Sequence, residues 1–206
     1  MRPFLLMLCV FSSTATATFA QTAPYGAPLP APPQVAASYP PQELDRIVSP
    51  IALYPDPLLA QMLSAATFSP EIPAAAQWAN QYHYLSPAQL PPMMSAGQLP
   101  WQPSVQALLP FPQVLDMMAS AMPWTEELGA AFLVSPVQVM DAVQRQRQAA
   151  YNYGYLRSNA QMIVRTGPYI EIIPVNPAVV FVPYYDPMIV FMPPRPRFVV
   201  AGAIRF

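Results

Sequence analysis

Few residues in this chain are equipped for chemistry. His83, in "QYHYL", is the single histidine, and Cys9 is the single cysteine. A histidine works as a general base only beside a nucleophile or an activated water. No Gly-x-Ser-x-Gly elbow accompanies His83, and Cys9 lies in an N-terminal apolar run. Carboxylates offer another route, because glycoside cleavage asks only for two acids at a set separation. Asp56, Glu71, Asp116, Glu171 and Asp186 are available. Asp56 and Asp186 each precede a proline, and capping already explains such a position. Glu171 stands out. In "YIEIIPV" it interrupts an apolar strand, so it faces either water or a cleft. Glu171 and His83 are the catalytic candidates, without a recognisable catalytic set around either.

Metal and cofactor signatures are missing from the sequence. There is no His-x-x-x-His, no Cys-x-x-Cys and no acidic calcium loop. Glycine accounts for 6 of 206 residues, with no phosphate loop or dinucleotide fingerprint. The expectation is no metal and no cofactor. A formal charge of −1 provides no basic field for nucleic acid or anionic lipid. Charged residues make up 9% of the chain, against roughly 25% in an ordinary domain. Hydrophobic residues make up 54%. A surface so short of charge points to cover by an envelope protein or glycan partner, or by an oligomer contact.

The N-terminus reads as an export signal over residues 1–20. Arg2 supplies the positive region, "FLLMLCVF" the apolar one, and "SSTATATFA" leads to a cut after Ala20. Cys9 would leave with it, and the mature chain would carry no disulfide. No apolar run reaches the roughly 18 residues of a transmembrane helix. Residues 21–41 are proline- and alanine-rich and uncharged, which predicts an extended tether.

From 42 to 156 the pattern is helical. Leu58, Leu59, Met62, Leu63 and Ala66 share one face. Ile72, Ala75, Ala76 and Ala79 repeat the pattern, as do Val114, Leu115, Met118 and Met122. The longest helix is predicted over 136–152. Asp141 and Arg145 form an i,i+4 pair there, Arg145 and Arg147 suit the negative end of the dipole, and Gly154 supplies a stop. Glu126 and Glu127 fit the first turn of a helix. The chain has 30 prolines, and their positions suit helix starts. Ser49-Pro50, Asp56-Pro57, Ser69-Pro70, Ser86-Pro87 and Ser135-Pro136 each place a capping residue before proline.

From 157 to 206 the pattern turns to short strands: "QMIVRT", "YIEIIPV", "AVVFVPYY", "MIVFM" and "RFVVAGAI". Thr166-Gly167-Pro168 reads as a hairpin turn. "NPAVVFVP" (Asn176–Pro183) and "DPMIVFMP" (Asp186–Pro193) repeat at ten residues and predict two strand modules. Phe181, Tyr184, Tyr185 and Phe191 make this unit the candidate partner surface.

Three stretches together are similar to a secreted bacterial family catalogued as domain of unknown function 3300. They are "ELDRIVSPIALYPDPLLAQMLSAATFSPEIPAAAQWANQ" (Glu43–Gln81), Trp101–Leu156, and "IEIIPVNPAVVFVPYYDPMIVF" (Ile170–Phe191). The resemblance implies a Gram-negative envelope protein and no particular reaction. The resulting expectation is an α+β chain: a bundle of short proline-capped helices with a small strand-rich unit packed on it. Its expected role is non-enzymatic binding or scaffolding. The alternative is a carboxylate-based hydrolase of envelope glycan.

Overall fold

The computed structural model describes residues 39–85, 89–96, 98–177 and 179–193. The export signal, most of the tether, the Ser86-Pro87 start and the "RFVVAGAI" strand lie outside the described residues. The elements in chain order are α1 (Pro41–Val48), α2 (Asp56–Ala66), a 3-10 turn (Ser69–Glu71), α3 (Ile72–Gln81), α4 (Leu90–Ala96) and α5 (Pro103–Gln106). Then come α6 (Pro112–Ser120), α7 (Met122–Val134), α8 (Pro136–Asn152), β1 (Met162–Thr166), β2 (Ile170–Pro174) and α9 (Pro187–Val190). The architecture is α+β, mostly helical with a two-stranded antiparallel sheet among the described residues.

Proline does stand in the first turn of the helices, where a missing N–H costs little. The side-chain caps are fewer than the Ser-Pro and Asp-Pro pairs predict. Ser135 caps α8 by accepting from the Gln138 N–H at 3.3 Å. Ser49 instead ends α1, its hydroxyl donating to the Arg46 carbonyl. Ser69 lies inside the 3-10 turn and makes no cap. Asp56 is the first residue of α2, with Pro55 at the cap position, and its carboxylate is used elsewhere. The lesson is physical: proline fixes φ for a start, but a cap also needs the neighbouring side chain to have no stronger partner.

The main core lies between α1, α2, α3, α6, α7 and α8, and includes Ile47, Leu58, Met62, Ile72, Leu115 and Val143. Helices α2 and α7 touch almost backbone to backbone. A Cβ on Gly129 would stand 2.1 Å from the Ala66 carbonyl oxygen, so nothing larger than glycine fits. Trp124 in α7 donates its indole N–H to the Ile47 carbonyl at 2.8 Å, tying α7 to α1. Arg145 pairs with Asp45 of α1 at 2.7 Å, and Glu127 with Arg46 of α1 at 2.6 Å. These cross-helix pairs replace the local roles expected of Arg145 and Glu127. Helix α8 ends as a Schellman motif: Gly154 at φ +84°, its N–H on the Tyr151 carbonyl, and the Tyr155 N–H on the Ala150 carbonyl.

The hairpin forms as predicted, with register from Met162↔Pro174 to Thr166↔Ile170 and Gly167–Tyr169 as its turn. A smaller core of Leu53, Ala150, Leu156, Met162, Ile170 and Ile172 seats it. A pair of strands alone is marginal in water, so this seat holds the hairpin in place.

Among the described residues the two repeat modules form no strand. Residues 179–186 run without helix or ladder, Val180 and Val182 packed on the main core and Val179 and Phe181 facing out. The second module is α9, whose Asp186 carboxylate accepts from the Met188 N–H at 2.8 Å. Asx-Pro is the start signal of a helix as well as of a turn, and here the cap outweighs the strand propensity of "MIVF".

Candidate functional site

A cavity of about 450 Å³ opens where α2, α8 and the hairpin meet. Its walls are Pro136, Val137, Met140, Tyr169 and Ile170, and its polar groups are Asp56, Asp141, Gln144, Arg147 and Glu171. Helix α8 contributes most of one wall, because Val137, Met140, Asp141 and Gln144 recur at the three- and four-residue spacing of one helix face. The tip and first half of β2 form the other.

Arg147 is the floor. Its side chain is 1% exposed. Nε donates to the Ala52 carbonyl at 2.8 Å, Nη1 to the Ile170 carbonyl at 2.8 Å, and Nη2 to the Tyr54 carbonyl at 3.0 Å. Nη1 also pairs with the Asp56 carboxylate at 2.6 Å. Burial pushes the guanidinium below its ordinary pKa, and the Asp56 charge opposes that shift. Arginine stays charged even so. A planar fork can satisfy this many acceptors at fixed angles, which a lysine cannot. One side chain thus joins the 49–55 loop, the start of α2 and the start of β2.

Gln144 completes the arrangement. Its side-chain amide donates to the Ile170 carbonyl at 3.2 Å and accepts from the Ile170 N–H at 2.8 Å. Asp56 accepts from the Ile172 N–H at 3.3 Å. Helical side chains therefore satisfy the edge of β2 that faces away from β1, a place where another strand could otherwise pair.

The rim is apolar and open: Val137 is 70% exposed and Tyr169 66%. Leu133 and Val134, at the end of α7, are exposed as well.

A second polar contact grips the same loop from the C-terminal segment. The Tyr185 hydroxyl donates to the Ser49 carbonyl at 2.8 Å and accepts from the Leu53 N–H at 3.3 Å. Its ring stands edge-on to Tyr54 and to Phe191. Burial raises the Tyr185 pKa well above the ordinary tyrosine value, and burial raises that of Tyr54 as well.

The sequence candidates separate in this geometry. Glu171 is exposed on β2 and lines the cavity with Asp56 and Asp141. His83 stands apart, exposed past the end of α3, with Nδ1 against the Asn80 carbonyl. Asp116 accepts from the Asn80 side-chain amide, Glu71 from the Gln102 N–H, and Asp186 caps α9, so each has a structural partner. Of the predicted partner surface, Phe181 and Tyr184 face out, while Tyr185 and Phe191 turn inward against the cores. Met188, Ile189 and Met192 stand exposed in that region instead. Among the described residues no cluster of His, Cys, Asp and Glu could hold a metal ion, and no helix is long and apolar enough to cross a membrane.

Arg147 is what the sequence reading missed, having given it only a dipole role. The signal was present: it follows Val143 by four residues and precedes Ala150 by three, so it sits on the apolar stripe of α8. A charge on a buried stripe requires a fixed partner.

A family model described as "Protein of unknown function (DUF3300)" matches residues 40–194. The chain is also 32% identical over 213 residues to "Uncharacterized protein YacH" of Escherichia coli (strain K12), a match covering 87% of this chain and 34% of that protein. The chain thus spans about a third of the length of this relative. No solved structure matches. The matched region takes in the 49–55 loop, Arg147, the hairpin and Tyr185, and the chain belongs to the DUF3300 family of proteins of unknown function.

Proposed function

We propose that this chain is a non-enzymatic binding module of the bacterial cell envelope, exported by a signal segment ending at Ala20. The observation that carries the reading is the division of labour in the cavity. Arg147, Gln144 and Asp56, its most deeply set polar groups, are engaged in holding the fold. Val137 and Tyr169, by contrast, are exposed at its mouth. Fixed polar groups beneath an apolar rim suit recognition. The export reading rests on Arg2, the apolar run Phe4–Phe11 and the small residues that follow.

A photo-crosslinking side chain at Tyr169 tests the binding role in cells. A discrete adduct from position 169, absent when the same group stands at exposed Gln77, is the expected result. Equal or absent labelling at the two positions would sink it. Export is checked by the N-terminus of the mature protein, expected at Gln21; recovery of the protein beginning at Met1 would refute it.

One observation favours a second reading, a glycan hydrolase: Glu171 shares its cavity with Asp56 and Asp141. That reading expects new reducing ends when the purified protein meets envelope glycan, and their loss in Glu171→Gln.

A further inference from the structure

We propose that the junction cavity takes a cationic amphiphile: an alkyl chain ending in an amine or quaternary ammonium. The inference rests on the binding role proposed above and names the ligand class for that site.

Size and walls set the apolar part. About 450 Å³ falls in the ordinary range for small-molecule sites, roughly 300–1,000 Å³. Val137, Met140, Tyr169 and Ile170 line it with aliphatic and aromatic surface.

Charge sets the head group. Three carboxylates and one guanidinium line the cavity. The guanidinium charge is matched by Asp56, and three of its N–H groups lie on the carbonyls of Ala52, Tyr54 and Ile170. Arg147 therefore brings no unpaired charge to an anion. Asp141 and Glu171 form no ion pair among the described residues and remain as negative charge at the walls. Arg145 is paired with Asp45, and Arg165, though opposite Glu171 in register, is outside the cavity lining and forms no ion pair among the described residues. The Tyr169 ring at the mouth adds a face on which a cation can rest. An anionic amphiphile would meet repulsion from both carboxylates, and a neutral one would gain only the walls.

The test titrates the mature chain with octyltrimethylammonium, octyl sulfate and octyl glucoside, each below its micelle concentration, by calorimetry. The expected result is that the cation binds about tenfold tighter than the other two, and that the margin shrinks in high salt. The double variant Asp141→Asn, Glu171→Gln should lose that margin while its melting temperature holds. Equal affinity for all three heads overturns the cationic assignment but leaves the binding role standing. Binding by none of them overturns the ligand class, and the Tyr169 crosslink then reports separately on the role. Selectivity that survives the double variant places the ligand elsewhere and also overturns the proposal. Sedimentation of the chain alone covers the remaining occupant. A dimer abolished by Val137→Asp would mean that a second copy covers the cavity, and the proposal falls.

Discussion

The 49–55 loop is gripped from two sides, and the two grips differ in kind. On one side Arg147 reaches out of a long regular helix and makes its bonds from a fully buried position. On the other, Tyr185 comes from a segment with no helix or ladder of its own and holds the loop by its hydroxyl and an edge-on ring contact to Tyr54. The first grip belongs to a body of helices packed against one another. The second belongs to a strap whose attachments are separate and local. The body should therefore fail as a unit, and the strap should loosen piece by piece.

Gly129→Ala should show the body's failure most strongly. The added methyl has no rotamer to escape into, because it meets the Ala66 backbone, so a loss of about 3 kcal/mol or more is expected. In a thermal melt that is a fall of roughly 10 °C, with the far-UV and tryptophan signals moving together. A melt unchanged within about 2 °C would show that α2 and α7 can part cheaply.

Arg147→Met comes next, at about 3 kcal/mol, since it strands Asp56 and leaves the carbonyls of Ala52 and Tyr54 without their donor. Asp56 is 39% exposed, so water recovers part of its loss. Adding Asp56→Leu to Arg147→Met should return some stability, because the unpaired charge goes. A double variant weaker than the single would locate the cost in the carbonyls.

Tyr185→Phe should cost about 1 kcal/mol and act locally. Hydrogen exchange at the Leu53 amide should quicken while the amides of α7 hold. The hydroxyl also sets an alkaline limit. In the folded chain burial holds Tyr185 and Tyr54 above their ordinary pKa. The unfolded chain thus loses protons first, near pH 10, and stability falls as pH rises beyond that point. Tyr185→Phe should make that fall shallower; an unchanged slope would assign it to other tyrosines.

Asp186→Ala is the smallest, at about 0.5–1 kcal/mol, felt in faster exchange at Met188 alone. If this change instead lowered the global melt as far as Arg147→Met, strap and body would be one cooperative unit and the contrast would collapse.

Legibility in the sequence followed the same division. The helices were readable because the 3.6-residue period of Leu58–Ala66 or Ile72–Ala79 reports burial directly, and the hairpin because "MIVRT" and "IEIIP" flank a Gly-Pro turn. The strap was misread because "VVFVP" and "MIVFM" carry strand residues, while strand formation depends on a partner that local sequence does not reveal. At the site, Glu171 was visible because it breaks an apolar run. Gln144 looks like an ordinary surface residue of a helix until β2 is placed beside it, and Arg147, though on the apolar stripe of α8, shows its partners only once α2 and β2 are in place. Asp56 was seen but misassigned, since a cap is local and its true partner lies in α8.

The Arg147 bonds also carry an order in time. Ala52 is 95 positions away and Ile170 only 23, so the same guanidinium closes one long loop and one short one. The long closure assembles α8 on the 49–55 loop, and until then β2 has no seat, because a lone hairpin is marginal. The hairpin should therefore dock last. Substitutions such as Ile172→Val should then speed unfolding and leave the folding rate nearly unchanged.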